Sequence, residues 1–145
     1  HTALAAEIER VKAEHGYCVL WDCHSIKSVI PRLFDGTLPT LNLGTNSGQS
    51  CAASVEAAAV AAMAGQPLTQ IANGRFKGGW ITRHYGRPAE RVHALQMEIA
   101  LSAYLSEENA PWAFDAPKAA TLQTALSAII AAALDAAKTL ERSRS

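Results

Sequence analysis

Two short apolar runs set among helical stripes constrain this chain more than any other feature. Tyr17-Cys18-Val19-Leu20-Trp21 is continuously apolar rather than alternating. Such a run after a helix reads as a central strand covered on both faces, ending at Asp22-Cys23-His24-Ser25. Val92-His93-Ala94-Leu95-Gln96-Met97-Glu98-Ile99 reads as a second strand with a carboxylate near its end. Helical spacing surrounds both. Leu4, Ile8 and Val11 form a stripe over residues 2–15, and Gly16 suits a left-handed cap. Ser50 is placed to cap a helix over 51–64 that Gly65 closes. Residues 67–72 and 81–84 read as brief strands. A long helix over 117–141 carries Leu122, Leu126, Ile129, Ala133, Leu134 and Ala137, with a tail at 142–145 expected to fray. This alternation predicts one α/β domain over residues 1–145, a three-layer αβα arrangement.

Residues 26–50 hold Pro31, Gly36, Pro39, Gly44 and Gly48, a long loop by ordinary standards. Its apolar content (Ile30, Leu33, Phe34, Leu38, Leu41, Leu43) predicts an ordered loop folded over something. A second glycine-rich stretch is Asn73-Gly74-Arg75-Phe76-Lys77-Gly78-Gly79-Trp80.

With 145 residues, 49% of them apolar and 18% charged, the chain has a globular composition. Thirteen basic residues balance thirteen acidic ones, which argues against a general nucleic-acid or membrane-surface binder. No run approaches the ~18 apolar residues of a membrane span, so no transmembrane helix is expected. The balance hides an asymmetry. Residues 24–88 hold six basic residues (Lys27, Arg32, Arg75, Lys77, Arg83, Arg87) against two acidic (Asp35, Glu56), a net of +4. That is either a seat for a small anion or ordinary surface charge. Three cysteines, Cys18, Cys23 and Cys51, form no CxxC pair, which fits a reducing cytoplasm and excludes zinc-cluster and disulfide scaffolds. Cys18 and Cys23 are expected in the core. The chain opens on His1, already within a helical pattern, which reads as a processed or truncated protein.

Ligands of open α/β sheets gather beyond the carboxyl ends of the strands. Asp22-x-His24-Ser25 sits at such an end, and alternation puts Asp22 and His24 on one side of an extended chain. The pair reads either as a metal-binding imidazole oriented by a carboxylate or as a capping Asp beside a hydrogen-bonded His. Glu98, among Leu95, Met97, Ile99 and Leu101, is either a general base with a raised pKa or an ion-pair partner. Arg75, Lys77 and Arg83 border glycines and could converge on carboxylates. His84 is a further polar candidate, and His93 reads as structural. No phosphate-loop, GxGxxG, HExxH or GxSxG pattern is present.

Five words in order resemble the N-formylglutamate amidohydrolase (N-formylglutamate deformylase) family. They are Leu20-Trp21-Asp22-Cys23-His24-Ser25-Ile26, Pro31-Arg32-Leu33-Phe34-Asp35-Gly36, Leu41-Asn42-Leu43-Gly44-Thr45, the stretch from Asn73-Gly74-Arg75 through His84-Tyr85-Gly86, and Ala94-Leu95-Gln96-Met97-Glu98. The family is distantly similar to zinc carboxypeptidases and aspartoacylases. The resemblance therefore implies a mixed central sheet of the zinc-exopeptidase kind. It also implies a divalent metal, most often zinc, held by two early ligands and a later His. His24 matches that later His, Glu98 matches the glutamate that activates water, and the early ligands have no match here. The chain is thus expected to be the C-terminal portion of a longer amidohydrolase. The implied reaction is hydrolysis of N-formyl-L-glutamate to L-glutamate and formate, in histidine breakdown. Arg32, Arg75, Arg83, His84 and Asn73 would bind this dicarboxylate, and Arg83 or His84 would also donate to the anionic intermediate. Two alternatives remain at this point: an amidohydrolase of another N-acyl or formyl acid, and a non-catalytic piece that binds acidic metabolites or a partner subunit. An oligomer is left open.

Overall fold

The computed structural model describes residues 1–143. The last two residues of the expected frayed tail, Arg144 and Ser145, lie outside the described residues; α4 continues to Arg142.

Helix α1 (Thr2–His15) ends as its sequence predicts. Gly16 takes the left-handed conformation (φ 82°), and its N–H donates to Lys12 O. Strand β1 (Cys18–Ile26) follows, then β2 (Leu41–Gly44), α2 (Ala53–Ala64), β3 (Gln70–Ala72), α3 (Trp80–Tyr85), β4 (Val92–Ala100) and α4 (Ala116–Arg142). The four strands form one sheet in the order β1-β4-β2-β3. β1 runs parallel to β4, β4 antiparallel to β2, and β2 parallel to β3, so the sheet is mixed.

Side-chain parity divides the core between the two faces. Leu41, Leu43, Leu95, Met97 and Ile99 pack with Val55, Ala59 and Met63 of α2 and with Leu122, Ile129 and Ala133 of α4. Cys18 and Val92 point the other way and pack with Ile8 of α1 and Tyr85 of α3. The result is the three-layer αβα fold that the alternation predicts.

Several local expectations are corrected. β1 does not stop at Asp22 but runs through His24 to Ile26. It is also an edge strand of this sheet, whereas β4, buried at every residue, takes the central place. Residues 26–50 are not all loop, because Leu41–Gly44 adds a strand between β4 and β3. Residues 81–84 form helix α3 instead of a strand. There Ile81 and Tyr85, four apart, reach the same α1-side cluster, and that packing overrides the β-branched Ile-Thr pair. The cap of α2 is Ala52, with Ser50 Oγ donating instead to Ala94 O at 2.7 Å. Cys23 is exposed, and Leu134 is 42% exposed. By length and composition alone, α4 is apolar enough to cross a bilayer. Its buried stripe packs on α2 and the sheet.

Candidate active site

The sheet face that bears Cys18 and Val92 turns polar toward the carboxyl ends of β1 and β4. In the parallel β1–β4 register, Asp22 pairs with Gln96 and His24 with Glu98. In the antiparallel β2–β4 register, Asn42 pairs with Glu98 and Gly44 with Gln96. Two polar rows therefore cross the sheet, His24–Glu98–Asn42 and Asp22–Gln96–Gly44. Register partners share a face and stand about 5 Å apart.

His24 Nε2 lies 3.0 Å from Asp22 Oδ1. The imidazole is about half exposed, with its side chain at 46%, while Asp22 is largely covered at 12%. A covered carboxylate on one ring nitrogen fixes the ring and leaves Nδ1 for another partner. Glu98 is 7% exposed. Burial pushes its carboxyl above the ordinary range; the charge of His24 opposes this and that of Asp22 adds to it. Among the described residues no donor hydrogen-bonds the Glu98 carboxylate. It is thus a buried acid beside an oriented imidazole.

The surroundings fix both rows. Asn42, 1% exposed, donates from Nδ2 to Pro39 O (2.7 Å) and to the main-chain O of Glu98 (3.1 Å). Beyond the strand ends, the Glu108 carboxylate accepts from Ser28 N, Ser28 Oγ and Ser102 N, tying the exits of β1 and β4 together. Asn42, Gln96 and Glu108 were not singled out as site residues by sequence reasoning. The signal for Asn42 and Gln96 was a polar residue at alternate positions within an apolar strand. Glu108 gave none.

The other candidate residues make local contacts of their own. Arg75 Nε donates to Leu33 O at 2.8 Å, and Phe76 meets Phe34 edge-on, so the Arg75 stretch joins the loop that carries exposed Arg32. Arg83, exposed on α3, donates from Nη1 to Gly78 O at 2.7 Å. His84 stacks on Trp80 with ring centroids 4.0 Å apart. Asn73 commits its amide to the turn after β2: Oδ1 accepts from Thr45 N and Ser47 N, and Nδ2 donates to Thr45 Oγ1 and Glu56 Oε1. His93 is fully buried, with Nδ1 accepting from Ala52 N, which agrees with a structural role. The structure thus brings His24, Asp22 and Glu98 together on one face of the sheet.

Among the described residues no group of three His, Cys, Asp or Glu is placed to hold a metal ion. Among the described residues His24 offers a metal one oriented imidazole, with Glu98 beside it.

The N-formylglutamate amidohydrolase family model matches residues 1–105. The N-formylglutamate deformylase of Pseudomonas aeruginosa is 52% identical over 120 residues, covering 80% of this chain and 44% of that protein. That of Pseudomonas putida is 44% identical over 138 residues, covering 92% of this chain and 50% of that protein. The chain spans about half the length of the curated relatives it matches. The crystal structure of N-formylglutamate amidohydrolase from Ralstonia eutropha JMP134 superposes with a TM-score of 0.77 over 99% of this chain and 52% of that one. At 23% identity, that likeness speaks for the fold alone. With the family model spanning well over half of its residues, the chain belongs to the N-formylglutamate amidohydrolase family.

Proposed function

We propose that the His24–Glu98 face is part of the active site of a metal-dependent amidohydrolase that converts N-formyl-L-glutamate and water to L-glutamate and formate. The observation that carries this reading is the β1–β4 register, which sets His24 beside Glu98 with Asp22 behind the imidazole. A divalent metal, zinc being the expected ion, held by His24 Nδ1 and by ligands from outside this chain, would polarise the formyl oxygen and acidify a water.

The chain's own residues do the rest. Asp22 holds the His24 ring in one orientation. Glu98 accepts the proton of the attacking water on its carboxylate and returns it to the departing amine nitrogen. Its raised pKa brings it closer to neutrality, which suits a group that must both take and give a proton. The arginines of the basic middle segment, Arg83 first and then Arg75 and Arg32, pair with the carboxylates of the substrate through charge-assisted hydrogen bonds. Arg83 or His84 would also donate to the tetrahedral anion. Asn73 serves the site indirectly, by holding the turn after β2. Formation of glutamate in this way fits amino-acid breakdown, histidine degradation being the expected setting, in a reducing cytoplasm that leaves Cys18, Cys23 and Cys51 as thiols.

Glu98→Gln tests the reading in the complete gene product. Turnover is expected to fall about 10²- to 10⁴-fold, with metal content unchanged. A stable variant with near-normal turnover removes Glu98 from the mechanism.

A further inference from the structure

Residues 73–83 carry Arg75, Lys77 and Arg83, yet most of this segment's polar ties run to the turn after β2. Asn73 bonds to Thr45, Ser47 and Glu56, and Lys77 O accepts from Asn46 N at 2.6 Å. The segment crosses β2 at Gly44 so closely that a Cβ there would stand 2.5 Å from Gly78 N. One side chain reaches it from β4: Gln96 Oε1 accepts from the Gly79 N–H. Gln96 is 5% exposed and lies two residues before Glu98, on the same face.

Gly79 immediately precedes α3, and its carbonyl accepts from Arg83 N at 3.1 Å. Arg83 Nη1 in turn donates to Gly78 O. Hydrogen bonds therefore link Gln96 to the peptide that carries Arg83. Ile81 and Tyr85 hold α3 by apolar contact with Val92 and its neighbours. Such contact is non-directional, so it sets the distance of α3 from the sheet and leaves the placement of its first turn to a directed bond.

We propose that Gln96 is a positioning residue that fixes Arg83 relative to Glu98 and so sets the preference of the site for substrates with a second carboxylate. Its amide oxygen is committed to Gly79, so Gln96 acts through the segment and not on the reacting atoms. This rests on the reading of the site given above and adds a determinant of specificity to it. A guanidinium grips a carboxylate through two parallel bonds, and a displaced first turn loses that fork.

The test compares N-formyl-L-glutamate with N-formyl-L-norvaline, which has a methyl in place of the side-chain carboxylate, in the complete gene product. Gln96→Met removes the acceptor at similar volume. It is expected to raise KM for the glutamate compound about 5- to 10-fold, the loss of one hydrogen bond, and to leave KM for the norvaline compound within about twofold. Gln96→Glu keeps an acceptor for Gly79 and should restore the preference. Gln96→Asn, one methylene too short, replaces Gln96→Met if that variant does not fold. Adding Gln96→Met to Arg83→Lys should have little further effect, because both act on one interaction. Equal losses on both substrates, or additive effects in the double variant, overturn the proposal. Calorimetric binding of glutarate against butyrate separates the two readings. A wild type that prefers glutarate but hydrolyses neither formyl compound refutes the reaction and leaves the positioning role to the Gln96→Met binding ratio. A wild type with no preference for glutarate overturns the positioning role.

Discussion

Gly44→Ala puts one methyl group under the segment that crosses β2 at Gly44 and bonds to Gln96. Its Cβ would stand 2.5 Å from Gly78 N, 2.7 Å from the Lys77 carbonyl carbon and 3.1 Å from Gly78 Cα. Comfortable contacts between such atoms begin at about 3.5 Å, so the segment must retreat by roughly 1 Å. All three obstacles are main-chain atoms, and no rotamer change relieves them. Retreat strains the Asn46 N bond to Lys77 O and the Gly79 N bond to Gln96. Overpacking costs about 1–3 kcal/mol, and each weakened hydrogen bond adds about 0.5–1.5. The expected loss is therefore about 2–6 kcal/mol. At about 2–4 °C per kcal/mol for a domain of this size, melting should fall by roughly 4–24 °C. Urea denaturation and thermal melting at neutral pH measure it, with Gly36→Ala as the control. A Cβ at Gly36 meets nothing within 4 Å, and only its positive φ of 70° is penalised, at about 1–2 kcal/mol. A Gly44→Ala protein within about 0.5 kcal/mol of wild type would refute the close crossing at Gly44 and the directed bond to Gln96 that depends on it.

Glu98→Gln should alter stability as well as turnover. Folding holds Glu98 above its ordinary pKa, so the metal-free wild type is expected to lose stability as pH rises from the ordinary carboxylate range through that raised value. The amide does not ionise; melting temperatures of variant and wild type should therefore agree near pH 4 and separate in favour of the variant at neutral pH. Parallel pH profiles would remove desolvation as the cause. His24→Ala should abolish metal retention in the complete gene product, whereas Asp22→Asn should weaken it about 10- to 100-fold, as read by competition with a chelator. Normal stoichiometry in His24→Ala would remove that ligand. Glu108→Ala leaves two main-chain donors, Ser28 N and Ser102 N, without their carboxylate. A loss of about 1–3 kcal/mol in urea denaturation is expected, and none would show that water replaces the carboxylate.

The elements that could be read from the sequence are those whose signals are local. The spacing of Leu4, Ile8 and Val11 and the left-handed Gly16 mark α1, the apolar run marks β4, and the stripe from Leu122 to Ala137 marks α4. β2 escaped because four residues between Thr40 and Thr45 give too short a pattern, and their strand character comes from β4 and β3 on either side. α3 was misread because Ile81-Thr82 favours a strand locally, while packing against Val92 decides the matter. The candidate site shows the same division. His24 and Glu98 were legible as residue types in their contexts, but their adjacency belongs to the register of two strands far apart in sequence. Parity is what protects that register. Val19 and Trp21 join Leu95 and Met97 on the α2–α4 side, while Cys18 and Leu20 join Val92 on the α1–α3 side. A slip of one residue would pair Glu98 with Cys23 or Ser25, whose side chains leave the sheet on the opposite face. It would set apolar residues of β1 beside β4 neighbours of the wrong face at every step. The same alternation that buries the core of this sheet thus also holds the imidazole beside the carboxylate.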